Sequence, residues 1–316
     1  MKIVCIGAGA MGLRYGVLLQ EVGNDVQFVD TWEANVEAIH KNHGVIVTRD
    51  GENPHLVDIK VCYPEEYHGE PELAIFFIKD MHTRETMERC LHFIGKQTHV
   101  LTNQNGWGGA EMIADYVDRD MIIAGTAMIA TVMKGPGAVD FVGARGSGHV
   151  HIVRVAGEPD AFIQRVADEM EKAQMHPTVC ADYRGTVWTK LVFNAVVNTI
   201  CTLMNVRMGE YAEYEGAARV ARRLLSESCA ACEAEGIKLE LDCEQLVEQV
   251  MYVSKVSNPL HYPSMHQDMS TNRPTEVDYL NGAIVALAEK HGIPAPYNAL
   301  LVDLVHLKEA SRKYQK

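Results

Sequence analysis

The stretch Lys2–Asp30, KIVCIGAGAMGLRYGVLLQEVGNDVQFVD, decides the fold of the first half of the chain. Apolar residues 2–6 predict a short buried strand, and residues 25–29 predict a second one. Between them, residues 13–22 repeat apolar side chains at helical spacing, after a glycine-rich segment. The order strand, glycine-rich turn, helix, strand indicates a βαβ unit of a parallel sheet.

The glycine-rich segment has the spacing of a dinucleotide-binding loop. Gly7 permits a tight turn, Gly9 lets the backbone approach a pyrophosphate, and Gly12 allows the helix to pack closely on the strand. N–H groups at the helix N-terminus attract phosphate. The predicted cofactor-binding residues of this segment are Gly7, Ala8, Gly9, Ala10, Met11 and Gly12. The alternative is a glycine-rich turn in another kind of α/β protein.

Asp30, at the end of the second strand, bears on which dinucleotide binds. A carboxylate there accepts hydrogen bonds from the ribose hydroxyls of NAD and repels the 2′-phosphate of NADP. The next residues, Thr31, Trp32 and Glu33, provide no arginine for that phosphate. We therefore expect NAD(H) to be favoured over NADP(H). The alternative is a solvated acid at a strand end.

The bulk composition limits the class of protein. A chain of 316 residues suggests about two domains, and 47% apolar residues are enough for two cores. The formal net charge of −13 disfavours nonspecific binding to nucleic acid or to an anionic membrane. We expect small-molecule partners, with neither nucleic acid nor a membrane among them.

Eight cysteines are scattered along the chain, several of them in apolar stretches. Cys229 and Cys232 form a C-x-x-C inside a helical pattern without a second ligand pair, so a zinc or redox role is a minor alternative. The apolar start is explained by the first strand rather than by a signal peptide. We read no apolar run of the ~18 residues that a membrane span needs. These features predict a cytoplasmic protein with free thiols and no metal.

Strand and helix patterns alternate in the first half, whereas helical periodicity dominates after residue 181. Further strands are predicted at 73–78, 99–102 and 177–180, and a strand pair at 138–142 and 149–155. Helices of the second half are predicted at 185–206, 211–235, 242–253 and 275–291. The fold class is therefore α/β, with an N-terminal Rossmann dinucleotide-binding domain (1–181) and a C-terminal all-helical domain (182–316). In such folds a catalytic cleft between the domains is expected.

The first helix of the second half carries an unusual polar stripe. Lys190, Asn194 and Asn198 are spaced i, i+4, i+8, so they share one face. Their neighbours are largely apolar, which argues against a freely solvated face. Buried polar groups need partners, and a ligand carboxylate or hydroxyl would supply them.

A second polar cluster lies between residues 263 and 282. Thr275 is a candidate helix N-cap, and Glu276 and Asp278 in a first helical turn would favour the helix dipole. In that arrangement both acids would have a structural role only. Alternatively, Glu276 points into the cleft.

Several motifs, taken together and in order, resemble ketopantoate reductase (2-dehydropantoate 2-reductase). They are the glycine-rich start, Gln104-Asn105-Gly106, Trp188-x-Lys190-Leu191-x-x-Asn194, Ser264-Met265-x-Gln267-Asp268 and Arg273-x-Thr275-Glu276-x-Asp278-x-x-x-Gly282. These motifs span nearly the whole chain. The resemblance implies hydride transfer from a reduced nicotinamide to the keto carbon of a small 2-oxo acid.

The resemblance also implies roles for individual residues. Lys190 matches the catalytic lysine that protonates the developing alkoxide, and Glu276 matches the glutamate that binds a substrate hydroxyl and keeps the lysine charged. Substrate-binding positions are matched by Asn194, Asn198 and Ser264. Asn105 matches an asparagine near the nicotinamide ribose and the substrate carbonyl, and Lys79 matches a cofactor-side lysine.

Two departures from the family leave the substrate open. The family usually binds NADPH, often through an arginine after the second strand, where this chain has Asp30-Thr31. His261 stands where some members have a substrate-contacting asparagine. The same scaffold serves NAD-dependent D-2-hydroxyacid dehydrogenases acting on acids such as mandelate, which is an alternative to ketopantoate.

Other classes of function are weaker alternatives. A noncatalytic NAD(H)-binding sensor would need neither Lys190 nor Glu276. A related dehydrogenase acting on glycerol phosphate or a β-hydroxyacid is a further rival. A phosphate substrate would need clustered cations near Lys190, but Arg184 and Arg207 are further away in the sequence, on either side of it. The helical domain could support a homodimer, although helices also bury apolar faces inside monomers.

Overall fold

A computed structural model describes residues 1–314 of the chain, which form two compact units. The first unit contains Met1–Gln104 and Gly109–Tyr183, and the second contains Asn105–Gly108 and the chain from Arg184 onward. Residues 105–108 therefore belong with the helical unit, although they lie within the first domain predicted from the sequence.

The first unit is an α/β fold with a mixed, mainly parallel eight-stranded sheet. Its strands are β1 (Lys2–Ile6), β2 (Asp25–Val29), β3 (Val45–Arg49), β4 (Glu52–Val57), β5 (Lys60–Cys62), β6 (Leu73–Phe76), β7 (His99–Thr102), β8 (Ile122–Ala127), β9 (Thr131–Gly135), β10 (Ala138–Phe141), β11 (Val150–Arg154) and β12 (Pro177–Cys180). The large sheet has the order β12-β11-β8-β7-β6-β1-β2-β5, and only β11 and β8 pair antiparallel. Because β1 and β6 lie in its centre, their apolar residues are buried, as the sequence predicts.

Five helices belong to the first unit: α1 (Ala10–Glu21), α2 (Glu33–Asn42), α3 (Thr83–Cys90), α4 (Gly109–Ile113) and α5 (Ala161–Lys172). A separate four-stranded sheet, ordered β4-β3-β10-β9, completes the unit. The predicted pairing of 138–142 with 149–155 is wrong, because β10 pairs with β3 and β9 whereas β11 pairs with β8 and β12. The two strands are close in sequence, which suggested a hairpin, but each pairs with other strands of the unit.

The second unit is helical among the described residues. Its helices are α6 (Tyr183–Met204, which begins at the last residue of the first unit), α7 (Met208–Glu213), α8 (Ala217–Ala234), α9 (Cys243–Tyr252), α10 (Ser264–Ser270), α11 (Asn281–Lys290) and α12 (Pro296–Ser311). The helix predicted over 211–235 is interrupted between α7 and α8. The helix predicted from Thr275 begins only at Asn281, after a 3-10 turn at Val277–Tyr279.

Helix α6 forms the centre of the helical core. Trp188, Leu191 and Val192 on it are buried against α8, α9 and α11 residues. By length and composition alone, α6 could span a membrane, which our reading of the sequence did not anticipate. However, 78% of the most apolar 18-residue stretch of α6 is buried inside the structure. The helix therefore has the character of a core helix.

All eight cysteines are free. Burial raises the pKa of the Cys232 thiol to about 12, and burial together with a hydrogen bond to Cys243 raises that of Cys229. Thiols held protonated are poor nucleophiles and poor metal ligands. The C-x-x-C of α8 is therefore part of the helical core.

Candidate active site

The glycine-rich loop between β1 and α1 has a backbone that side chains would disrupt. Gly7 has a φ of +100°, and its N–H donates to the Val29 carbonyl oxygen at 2.7 Å. A Cβ on Gly7 would lie 2.5 Å from the Phe77 carbonyl oxygen, and one on Gly12 would collide with the carbonyl oxygen of Gly7. Gly9 differs, since a Cβ there would meet no heavy atom within 4 Å. The loop is thus close-packed against the protein at Gly7 and Gly12 but open at Gly9, where a ligand can come close to the protein backbone.

The N-terminus of α1 supplies the donors for a phosphate. The first intrahelical bond runs from the Leu13 N–H to the Gly9 oxygen at 2.9 Å, and no side chain caps the helix. The N–H groups of Ala10, Met11 and Gly12 therefore have no acceptor within the helix. This arrangement fits the pyrophosphate of a dinucleotide. Lys79 follows the carboxyl end of β6, which neighbours β1 in the sheet.

Asp30 lies at the carboxyl end of β2 and is only 7% exposed. One carboxylate oxygen accepts from the Ala8 N–H at 3.0 Å and from Asn35 Nδ2 at 3.2 Å. The other accepts from the N–H groups of Thr31 at 2.7 Å and Trp32 at 3.0 Å. Asp30 therefore also fastens the glycine-rich loop to the end of β2, a role that our sequence reasoning missed. Its charge remains beside the loop.

The polar stripe of α6 lies where the helical period places it. Lys190 and Asn194 are partly buried, and Asn198 is 5% exposed. Neither asparagine side chain makes a hydrogen bond to another residue in the described part of the chain, although both carboxamides retain some access to solvent. Two amides held in an apolar surround are suited to binding a polar ligand.

Lys190 has an acid–base character set by its surroundings. Burial lowers the pKa of its ammonium from 10.5 to about 8, and the nearby Glu276 carboxylate opposes that fall. Glu276 is itself only 6% exposed and precedes the 3-10 turn Val277–Tyr279. The structure thus brings together the lysine and the glutamate that the sequence singled out, 86 positions apart.

Glu276 is held by the turn around it rather than by a helix that Thr275 caps. The Thr275 N–H donates to Glu309 Oε1 on α12 at 2.7 Å, whereas the Thr275 hydroxyl has no hydrogen-bond partner among the described residues, so the predicted N-cap is wrong. Asn281, at the start of α11, donates to the Ala195 carbonyl oxygen on α6 at 3.1 Å. The turn that carries Glu276 is therefore tied to the helix that carries Lys190.

Asn105 belongs to the same unit as these residues. The Trp107 N–H donates to the Tyr279 carbonyl oxygen at 2.9 Å, and the Trp107 ring lies 5.5 Å from that of Trp188. Gly106 has a φ of +89°, and a Cβ on it would collide with the Tyr279 oxygen. Residues 105–108 are thereby packed on the Glu276 turn and on α6.

The segment before α10 is held by the start of α7. The N–H groups of Met208 and Gly209 donate to the carbonyl oxygens of His261 at 3.1 Å and Pro259 at 2.9 Å. Burial lowers the pKa of the His261 imidazole, because a partly desolvated ring favours its neutral form. Ser264 is partly buried as the first residue of α10. The roles of His261 and Ser264 toward a substrate stay predictions.

Comparison with known proteins places both units in one family. Residues 3–155 match the family described as ketopantoate reductase PanE/ApbA, and residues 182–309 match its C-terminal domain. The chain belongs to the ketopantoate reductase family. The resemblance carried by the sequence motifs is confirmed, as is the expected fold class of a Rossmann unit followed by a helical one.

Individual known proteins are similar to this chain over almost its whole length. A 2-dehydropantoate 2-reductase of Streptococcus pyogenes is 33% identical, with 98% of each chain covered. Among solved structures, a ternary complex of D-mandelate dehydrogenase with NADH and anilino(oxo)acetate has a TM-score of 0.92 at 30% identity, covering 98% of this chain and 99% of the other. A ketopantoate reductase from Ralstonia eutropha has a TM-score of 0.87 at 27% identity, with coverage of 99% and 100%.

One feature beside the family motifs carried no sequence signal that we recognised. Residues Val253–Ser257 form a π-helix directly after α9, close to the segment that ends at Ser264. Single π-turns are frequent at functional sites. The wider helical spacing leaves no clear mark in the pattern of apolar residues.

Proposed function

We propose that this chain is a nicotinamide-dependent reductase of small 2-oxo acids, and that ketopantoate, reduced to pantoate, is its substrate. The observation that carries the proposal is a lysine of lowered pKa with a buried glutamate beside it, on a helix face with two available amides. Family membership over both units supports the same reaction class.

The residues of the second unit suit reduction of a carbonyl. A bound nicotinamide would supply the hydride. Lys190 would donate a proton to the carbonyl oxygen as charge develops on it, and a pKa of about 8 allows that transfer near neutral pH. Glu276 would keep Lys190 protonated and bind a substrate hydroxyl. Hydride on carbon and proton on oxygen together give the 2-hydroxy acid.

Polar groups of the same unit would orient the substrate. Asn194 and Asn198 lie one and two turns beyond Lys190, so they can donate hydrogen bonds to the carboxylate or hydroxyl of the acid. We propose that Asn105 serves the substrate carbonyl and the nicotinamide ribose, and that Ser264 and His261 complete the substrate contacts.

We propose NADH as the preferred coenzyme within the nicotinamide class. The Asp30 carboxylate puts a buried negative charge at the end of β2, where it disfavours a 2′-phosphate. Thr31, the next residue, is exposed and uncharged, and it provides no positive partner for that phosphate. Lys79, at the end of β6, would contact the cofactor from the neighbouring strand.

A second candidate is a D-2-hydroxyacid dehydrogenase acting on mandelate-like acids. The structural match to D-mandelate dehydrogenase favours it, together with a partly buried histidine at position 261 whose pKa burial lowers. A ring there could pack against a bulky or aromatic substrate side chain, where an asparagine would hydrogen-bond to a hydroxyl.

Steady-state kinetics with a panel of 2-oxo acids separates these functions. Ketopantoate, benzoylformate and 2-oxoisovalerate are each tested with NADH and with NADPH, following absorbance at 340 nm. The proposal expects the highest kcat/KM with ketopantoate and NADH. A preference for benzoylformate would support the mandelate-like alternative, and NADH binding without turnover on any acid would support a sensor.

The surface of the helical unit supports a homodimer. Tyr297, Leu300, Leu304 and Leu307 on α12 are between 37% and 64% exposed. Their spacing of three, four and three residues makes one apolar stripe along the helix, as at a helix–helix seam. We propose that a second copy of the chain covers this stripe, and that the enzyme works in the cytoplasm on small molecules.

A further inference from the structure

A second polar site lies within the first unit, away from the predicted cofactor residues. It is a small cavity lined by three arginines: Arg14 on α1, Arg49 at the end of β3 and Arg145 in the loop before β11. Leu18 and Met175 contribute apolar walls. None of the residues predicted to bind the dinucleotide lines this cavity, so it is distinct from the glycine-rich loop.

Arg14 is the unusual member of this arginine cluster, because it is only 4% exposed. Its Nη1 donates to the carbonyl oxygens of Ala130 at 2.6 Å and Val142 at 3.0 Å. Its Nε has no hydrogen-bond partner among the described residues. Burial, and then the charge of Arg49, lowers the pKa of Arg14 to about 10. The guanidinium also lies over the Phe141 ring at 5.3 Å, and the Asp50 carboxylate acts on it without a direct ion pair. Among the described residues no acid pairs directly with Arg14, so its counter-charge is incomplete for a buried group.

The other two arginines add charge at the mouth of the cavity. Arg49 donates to the Gly143 carbonyl oxygen at 2.9 Å. Arg145 pairs with Glu21 at 2.8 Å and donates to Gln174 at 2.9 Å. Asp50 is the second nearby acid, and it accepts from the Gly143 N–H at 2.7 Å. Three cations thus face two acids, in a chain whose overall charge is −13.

We propose that the arginine cluster binds a tetrahedral oxyanion of the phosphate class. Guanidinium groups match the oxygens of phosphate in paired hydrogen bonds, and the apolar walls of Leu18, Ala173 and Met175 strengthen that attraction by excluding water. The enclosed part of the cavity is about the size of one water molecule, and the cavity is open on one side. Inorganic phosphate, or the terminal phosphate of a monoester, would therefore insert an oxygen between the arginines from the open side while its remainder stays outside.

The test measures the melting temperature with increasing inorganic phosphate at constant ionic strength, balanced with sodium chloride. Saturating NADH is present throughout, so that the pyrophosphate site of the loop is filled. A specific site predicts a saturable rise, about 2–5 °C at ten times Kd. Absence of a saturable rise, or a rise seen only without NADH, would overturn the proposal.

Variants locate the site. Arg49→Gln and Arg145→Gln, of which Arg145 is the more exposed, should each raise the phosphate concentration that gives half of the full rise in melting temperature by at least tenfold. Arg119→Gln, which removes an exposed arginine paired with Glu111 in the same unit, should leave it unchanged. Equal effects of phosphate on all three would contradict the assignment, and circular dichroism checks that each variant is folded. Parallel titrations with glycerol phosphate distinguish a monoester ligand from free phosphate.

Discussion

The pKa of Lys190 makes a quantitative prediction for the pH dependence of reduction. Lowering this pKa from 10.5 to about 8 corresponds to roughly 3 kcal/mol against the charged form. Reduction needs the protonated amine, so kcat/KM for the 2-oxo acid should be level below about pH 7 and half-maximal near pH 8. Above that it should fall about tenfold for each further pH unit. Oxidation of the 2-hydroxy acid needs the deprotonated amine, so in that direction kcat/KM should rise with pH and become level above about pH 9.

Glu276 supplies the control on this prediction. Its carboxylate raises the pKa of Lys190, so Glu276→Gln should move the midpoint of the profile to a lower pH, whatever it does to the maximal rate. Asp278→Asn is the matched control, because it also removes one negative charge, two residues after Glu276. The Asp278 side chain is exposed and pairs with His306, so this variant should leave the midpoint of the pH profile unchanged. NADH binding, followed by fluorescence, should not change across this pH range. A profile level to pH 10, or equal midpoints in both variants, would refute the assignment of Lys190 as the proton donor.

Three further predictions concern stability, coenzyme choice and assembly. Because the folded-state pKa of Lys190 is lowered, its burial destabilises the fold below pH 8, and this effect disappears as the pH rises toward 10.5. In urea unfolding, the stability of the wild type relative to Lys190→Met should therefore rise by up to roughly 3 kcal/mol between pH 7 and pH 10, whichever of the two is the more stable at pH 7. Thr31→Arg should raise kcat/KM with NADPH relative to NADH while leaving the bonds of Asp30 to the loop intact, and an unchanged ratio would argue against a 2′-phosphate position there. Leu307→Glu should convert a dimer to a monomer in light scattering, whereas a wild-type monomer would remove the proposed α12 interface.

Local patterns predicted the parts of the molecule that depend on neighbouring residues. The unit β1–α1–β2 follows from apolar runs and from a turn in which Gly7 must adopt positive φ. The shared face of Lys190, Asn194 and Asn198 follows from the helical period alone. Motifs added Glu276 to this set, since no local pattern relates it to Lys190.

Features that depend on distant partners were not predictable in the same way. Strand β10 pairs with β3, about ninety residues earlier, so an apolar strand pattern could not reveal its neighbours. The turn before α11 looked like a helical start because Thr275 and the acids after it suit an N-cap. In the structure the Thr275 hydroxyl caps no helix, and the Thr275 N–H donates to Glu309 on α12. The bonds of Asp30 to the loop likewise required knowledge of where the Ala8 N–H points.

In the proposed reaction the Lys190 ammonium protonates the carbonyl oxygen of a 2-oxo acid. The most direct test of this step is the turnover of Lys190→Ala with ketopantoate at pH 7, measured together with NADH binding. We expect kcat to fall by about 10²–10⁴ while the dissociation constant for NADH stays within a factor of a few of wild type. Turnover at the wild-type rate with NADH still bound would contradict it.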